Sequence, residues 1–186
     1  MNKNLKMFPT LAIWFICVFC WAFSAQAQAL TFKPNDSKVG FVIKNAGIGV
    51  DGSLQFADCQ AFFDTKKLSK SFFKVRVSVA TINTQNNLRD QHLRSADYFD
   101  VANFSDISFE SSKIQKDKQK WKVVGKLNLK GVVKEIEIPF ELKEKDQELT
   151  FEGNLQIDRL DYGIGASSWI LSDHVSIKIV AVFQKK

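Results

Sequence analysis

The sequence predicts an all-β domain of about eight antiparallel strands, with one short helix on a connection between two of them. Three observations carry this. Apolar and polar residues alternate in steps of two over most of the chain beyond residue 29, the pattern of strands with one apolar and one wet face. Turn-forming sequences separate the alternating runs, and sequential strands with short links pair as an antiparallel meander. A single segment near residue 90 shifts to a helical period.

The first 29 residues are an address rather than part of the fold. Lys3 and Lys6 give a positive start, Leu11 to Phe23 is almost wholly apolar, and Ser24-Ala25-Gln26-Ala27-Gln28-Ala29 follows. This is the layout of a secretory signal peptide, cleaved after Ala27 or Ala29. The apolar run is shorter than the ~20 residues a membrane-spanning helix needs. The expected mature domain is therefore residues 30–186 of an exported protein. Cleavage removes Cys17 and Cys20 and leaves Cys59, so no internal disulfide is available. A free cysteine is most often a small buried hydrophobe, and that is the favoured reading of Cys59 over a thiol pairing between chains.

The strands follow in order. Val39, Phe41 and Ile43 alternate with polar or small neighbours, and Asp51-Gly52 reads as a turn. Phe73, Val75, Val77 and Val79 form the next run. Asn87 to Ala96 then places Leu88, His92, Leu93 and Ala96 on one helical face. Trp121, Val123, Leu127 and Leu129 alternate after a turn at Lys116-Asp117-Lys118, and Ile136, Ile138, Phe140 and Leu142 after Lys130-Gly131. Leu149, Phe151, Leu155 and Ile157 follow Lys145-Asp146. The stretch Asp161 to Ser168 reads as a loop, and Val175, Ile177, Ile179 and Phe183 close the chain.

Such strands close into a barrel or stack as a sandwich. In an eight-stranded barrel the apolar face points inward, where it fills the lumen or lines a ligand cavity. An outer-membrane barrel would turn that face to lipid and its polar face to the interior. Here the polar positions are dense in Lys and Glu, which suits a solvated exterior.

Composition narrows the function. The chain has 186 residues, 45% hydrophobic and 25% charged, the balance of one folded domain rather than a disordered chain. Thirteen of its 17 Phe lie beyond residue 29, so aromatic wealth belongs to the domain. Net charge is +6, falls to +4 without Lys3 and Lys6, and is spread along the chain; no nucleic-acid partner is expected. The only histidines are His92 and His174, and no nucleophile, phosphate-loop, metal or cofactor motif occurs. No catalytic residue, metal or cofactor is assigned.

Two clusters concentrate paired charge: Arg89 to Asp100, and Asp158-Arg159-Leu160-Asp161-Tyr162-Gly163. Asp90 and Arg94 are four apart, on one helical face. One reading is ion pairs that fasten the helix and the loop to the barrel. The other is a polar rim around a cavity mouth.

These residues also carry a resemblance. The run Arg89-Asp90-x-His92-Leu93-Arg94-Ser95-Ala96-Asp97-Tyr98-Phe99-Asp100-Val101, then Ile107-Ser108-Phe109-x-Ser111, resembles the hallmark of the YceI-like polyisoprenoid-binding family. Gly125-x-Leu127-x-Leu129-x-Gly131-Val132-x-Lys134 matches as well. So do Asp158-Arg159-x-Asp161-Tyr162-Gly163-Ile164-Gly165 and Leu171-Ser172-Asp173-x-Val175-x-Ile177. Order and spacing hold from about Ser37 to Val182. The chain departs from the family at Asn35-Asp36-Ser37, at Lys44-Asn45 and at His174.

The resemblance implies an eight-stranded lipocalin-like barrel in the bacterial periplasm. It implies a lumen for a polyisoprenoid chain or a related amphiphile such as a prenyl pyrophosphate or isoprenoid quinone, and no catalytic residues. On that reading the inward face supplies the lumen: Phe41, Ile43, Phe73, Val75, Val77, Phe109, Trp121, Leu127, Phe140, Phe151, Leu155 and Ile177. His92, Arg94, Asp158 and Arg159 are the expected head-group contacts at the mouth. The expected role is a carrier or store of lipid, touching a membrane surface transiently, with the uninterrupted alternation also suiting a homodimer edge. The rival readings are an enzyme or accessory factor in isoprenoid metabolism, and a secreted interaction protein whose barrel is filled by its own side chains.

Overall fold

A computed structural model describes residues 30–185; the signal-peptide reading lies outside the described residues. The elements are β1 (Leu30–Phe32), β2 (Lys38–Asn45), β3 (Ile48–Phe62), β4 (Phe72–Asn83), α1 (Asn87–Arg94), β5 (Asp106–Asp117), β6 (Lys120–Leu129), β7 (Val132–Lys145), β8 (Glu148–Asp158) and β9 (Leu171–Lys185). β2 to β8 pair with their sequence neighbours, and β9 pairs with both β2 and β8. All pairings are antiparallel. The result is a closed eight-stranded barrel, which leaves no long free edge.

β1 is a ninth, short strand. It continues the β2 edge along β9, pairing Phe32 with Phe183, and a 3-10 turn at Pro34–Asp36 interrupts the two. Lys33 Nζ bridges Asp36 and Glu148, 2.7 Å from each; those two hydrogen-bonded carboxylates push its ammonium pKa upward.

The apolar alternation faces inward, as expected, and the charged positions face solvent as cross-strand pairs such as Lys74–Glu110 and Lys122–Glu137. Two strands had no clean alternation, and bulges explain both. In β3 the register to β4 shifts between Phe56 and Asp58, so inward residues run Leu54, Phe56, then Cys59. In β5 a shift between Ser111 and Lys113 moves the inward phase from Phe109 to Ile114. An extra residue in one strand flips every later side chain to the opposite face.

Asp51-Gly52 is not a turn. Both residues lie within β3, paired with Val42 and Phe41, and the chain reverses at Ala46 and Gly47, whose φ angles are 51° and 80°. Gly52 is needed because the Phe41 ring lies across it: a Cβ there would sit 2.1 Å from Phe41 Cζ. The other reversals fall at or within two residues of the expected sites, with positive φ at Lys118, Lys130 and Asp146.

The ends of the barrel differ. The β3–β4, β5–β6 and β7–β8 connections lie at one end with both described termini. The β2–β3 turn, the long β4–β5 connection with α1, the β6–β7 turn and the β8–β9 connection lie at the other.

Candidate ligand cavity

The lumen is hollow. It encloses about 630 Å³, within the ~300–1,000 Å³ typical of small-molecule sites. This overturns the reading of a barrel filled by its own side chains.

The floor is aromatic. Phe63, from the β3–β4 connection, folds under the barrel and meets Phe151, Trp121 and Phe73 with ring centroids 5.1, 5.3 and 6.1 Å apart. Phe151 adds Phe73 at 5.0 Å and Phe183 at 5.8 Å, mostly edge to face, the geometry that aromatic quadrupoles favour. Phe73, Phe140 and Phe151 present their upper surfaces to the cavity. Trp121, expected in the lumen, does not reach it. It stacks on Phe140 at 5.9 Å with Lys116 Nζ over its ring, and so belongs to the closed end.

The walls are formed by the other expected side chains. Val75, Val77, Phe109 and Leu127 line the middle, and Phe41, Ile43, Leu155 and Ile177 the upper half. The upper group is only half-buried although it points inward, because it faces void rather than packed neighbours. Cys59 lines the cavity too and is buried. Burial, helped by nearby Asp58, pushes its thiol pKa up to about 12, so it is an uncharged wall residue at neutral pH.

The mouth is built by its connections. Asn86 caps α1, its side chain accepting from Arg89 N at 3.1 Å. Asp90 is buried and accepts from both the backbone N (2.9 Å) and Oγ1 (2.6 Å) of Thr84. It makes no ion pair with Arg94. Arg94 instead donates to the carbonyls of Ala80 (3.0 Å) and Ile82 (2.8 Å), which lie beyond Ser78, where the β4–β5 ladder ends. Arg94 thus fastens the helix to β4 and does not line the cavity.

Arg159 does line it, but the residue is only 2% exposed and its guanidinium is already engaged. It donates to the carbonyls of Ser172, Ile164 and Ala166 and, at 2.8 Å, to Asp173 Oδ1. One buried cation therefore gathers the whole β8–β9 connection. Asp158 lies beneath that connection rather than on the cavity wall, accepting from Leu160 N at 2.9 Å. Lys130 Nζ ties the β6–β7 turn to Ala96 O and Gly163 O. Gly165, at φ +66°, has no space for a Cβ beside Tyr98 and Arg159.

Two polar residues of α1 remain available to a ligand. His92 lines the cavity from α1, exposed, with its ring edge-on to Tyr98 at 4.8 Å. Arg89, which sequence reasoning left out of the site, lines it as well. Its Nε and Nη2 donate to Thr84 Oγ1 and O, both at 2.7 Å, and among the described residues no acceptor meets its Nη1. Its place in the charged motif and its spacing, three residues before His92 and four before Leu93 and so on their helical face, were the available signals.

The sequence and the fold of this barrel are matched by known proteins. The family model for the YceI-like domain covers residues 30–183. The chain belongs to the YceI-like family. Protein YceI of Salmonella arizonae is 30% identical over 147 residues, 76% of this chain and 73% of that protein. A UPF0312 protein of Serratia proteamaculans is 33% identical over 119 residues, spanning 61% of this chain and 62% of that protein; a Photorhabdus laumondii relative is matched over 55% of its length. Among solved structures, BcnA of Burkholderia cenocepacia superposes with a TM-score of 0.77 at 26% identity, covering 82% of this chain and 99% of that one. A polyisoprenoid binding domain from Saccharophagus degradans shares the fold, with a TM-score of 0.68 at 16% identity over 86% of this chain and 99% of that domain.

Proposed function

We propose that this YceI-like protein is an exported, periplasmic carrier or store of an isoprenoid lipid such as a prenyl pyrophosphate or isoprenoid quinone, held tail-down in the barrel. The observation that carries the reading is the hollow apolar lumen of about 630 Å³, closed by aromatics at one end and met by Arg89 and His92 at the other. The polyisoprenoid-binding neighbour of the same fold supports the ligand class, and the leader-like first 29 residues support export.

The energetics fit a carrier. Each buried CH₂ is stabilised by ~0.8 kcal/mol relative to water, but the donor of such a lipid is a membrane. Moving the tail from one apolar medium to another is close to neutral, so the lumen permits exchange. Selection then rests on the shape of the lumen and on the polar end at the mouth, where Arg89 Nη1 suits a phosphate or a carbonyl oxygen.

The test is native mass spectrometry of protein purified from a bacterial periplasm, followed by organic extraction and lipid identification. A stoichiometric prenyl lipid or quinone is the expected result. A clean ligand-free mass that stays unchanged after incubation with prenyl lipids and quinones overturns the reading.

A further inference from the structure

The mouth carries a feature that ligand binding alone does not require. Three segments border the opening: the β2–β3 turn, through Asn45 and Val50; the lead-in to α1 and α1 itself, through Thr84, Arg89 and His92; and the end of the β8–β9 connection, through Ser167, Ser168 and Ile170. Each also presents a large apolar side chain to solvent. Ile48 is 72% exposed, Leu88 80%, Ile170 63%, and Trp169 fully exposed. Leu88 was expected on the packed face of α1; there the buried residue is Asp90. Two of the segments are joined directly, Ala46 N donating to Ile170 O. Among the described residues only three other large hydrophobics are exposed: Val42, Phe72 and Val133. The apolar exposure is concentrated on the lip.

We infer that this lip docks on a neutral bilayer surface, inserting Trp169, Leu88 and Ile48 among the lipids so that the lumen opens into the hydrocarbon. The inference rests on the carrier reading for its purpose but not for its test. Clustered exposed apolar residues mark interaction sites, and tryptophan favours the membrane interface. The occupant is chosen by charge. The connections at this end, residues 44–50, 84–105, 129–133 and 158–173, carry five Lys or Arg and six Asp. A polybasic patch that seeks anionic lipid is therefore lacking, and the remaining attraction is apolar. A bilayer is also the one partner whose interior matches the lumen behind the lip. The described N-terminus, Leu30, pairs with Lys185 at the opposite end of the barrel, away from the lip.

The experiment uses the mature protein with vesicles of pure phosphatidylcholine, free of any isoprenoid. Sedimentation with vesicles should be retained in high salt, and Trp169 fluorescence should shift to the blue and be quenched by brominated acyl chains. Leu88→Gln with Trp169→Ala should weaken partitioning by at least ~10-fold, with thermal stability unchanged. Binding that vanishes with salt, or survives in the double variant, overturns the inference. So does a concentration-dependent dimer that the double variant dissociates, since the lip then covers a second copy. Vesicle docking without recovered isoprenoid would instead leave the docking standing and remove the carrier reading.

Discussion

At the closed end of the barrel Phe63, Phe73, Phe140 and Phe151 lie ring against ring, with centroids 5.0 to 6.3 Å apart. At the open end Ile43, Leu155 and Ile177 point into the same lumen and meet empty volume. β8 supplies an inward residue to each end, Phe151 to the closed one and Leu155 to the open one. The difference is what fills the axis: rings with a supporting Phe63 beneath them, or aliphatic side chains too short to meet across the barrel. Stability is concentrated at one end and capacity at the other.

The largest effect should therefore come from the floor. Phe151→Ala removes a ring shared by Phe63, Phe73, Phe140 and Phe183 and leaves a cavity that neighbours on strands cannot collapse to fill. A loss of ~3–5 kcal/mol is expected, read by denaturant unfolding. Leu155→Ala, at the hollow end, should cost less than ~2 kcal/mol, because its side chain already borders a void and few contacts are lost. Equal losses at the two positions would dissolve the distinction.

Next is Arg159. Arg159→Met keeps the length of the side chain but leaves the buried carbonyl of Ile164, the carbonyl of Ala166 and the carboxylate of Asp173 without their donor. Removing one partner of a buried charge pair costs ~3–5 kcal/mol; with Asp173 partly exposed, ~2–4 kcal/mol is expected. Limited proteolysis should cut first between residues 160 and 172. Loss of ligand at unchanged stability would make Arg159 a head-group contact after all.

Filling the void sharpens the comparison from the other side. In a packed core a larger side chain costs ~1–3 kcal/mol through strain. Leu155→Trp has empty volume to enter, so stability should change by less than ~1 kcal/mol while lipid retention falls at least ~10-fold. Full retention would mean that the ligand does not occupy the upper lumen.

How much of this contrast could be read from the sequence depends on the residue. The barrel was legible wherever alternation ran unbroken, as in β6 and β8. It was obscured in β3 and β5 because single-residue bulges reverse the inward phase at Phe56/Asp58 and Ser111/Lys113. Gly52 looked like a turn because a glycine needed for the ring of Phe41 and one needed for a chain reversal are the same letter. In the site, alternation identified lumen side chains but not their height along the axis, which is why Trp121 was taken for a wall rather than the floor. The charged motifs located the mouth. They did not reveal which guanidiniums are spent on backbone carbonyls, Arg94 and Arg159, and which keeps a free edge, Arg89, because carbonyl partners leave no trace in side-chain identity.

The smallest effect concerns Cys59, which sits between the two ends on the wall of the cavity. Its thiol pKa is raised from near 9 to about 12 by burial first and by Asp58 second. Below pH 9 the thiol is protonated whether the chain is folded or not, so ionisation contributes nothing to the balance. Above 9 the unfolded chain releases the proton while the folded one retains it, and stability falls as pH rises toward about 12. Lysines and tyrosines also titrate there, so the informative quantity is a difference. The melting temperature of Cys59→Ala should decline less steeply than that of the unaltered protein between pH 9 and 12, and the two should run parallel from pH 6 to 9. Parallel curves over the whole range would mean that water entering the lumen from the mouth reaches as far as Cys59, and the dry region would then be confined to the aromatic floor.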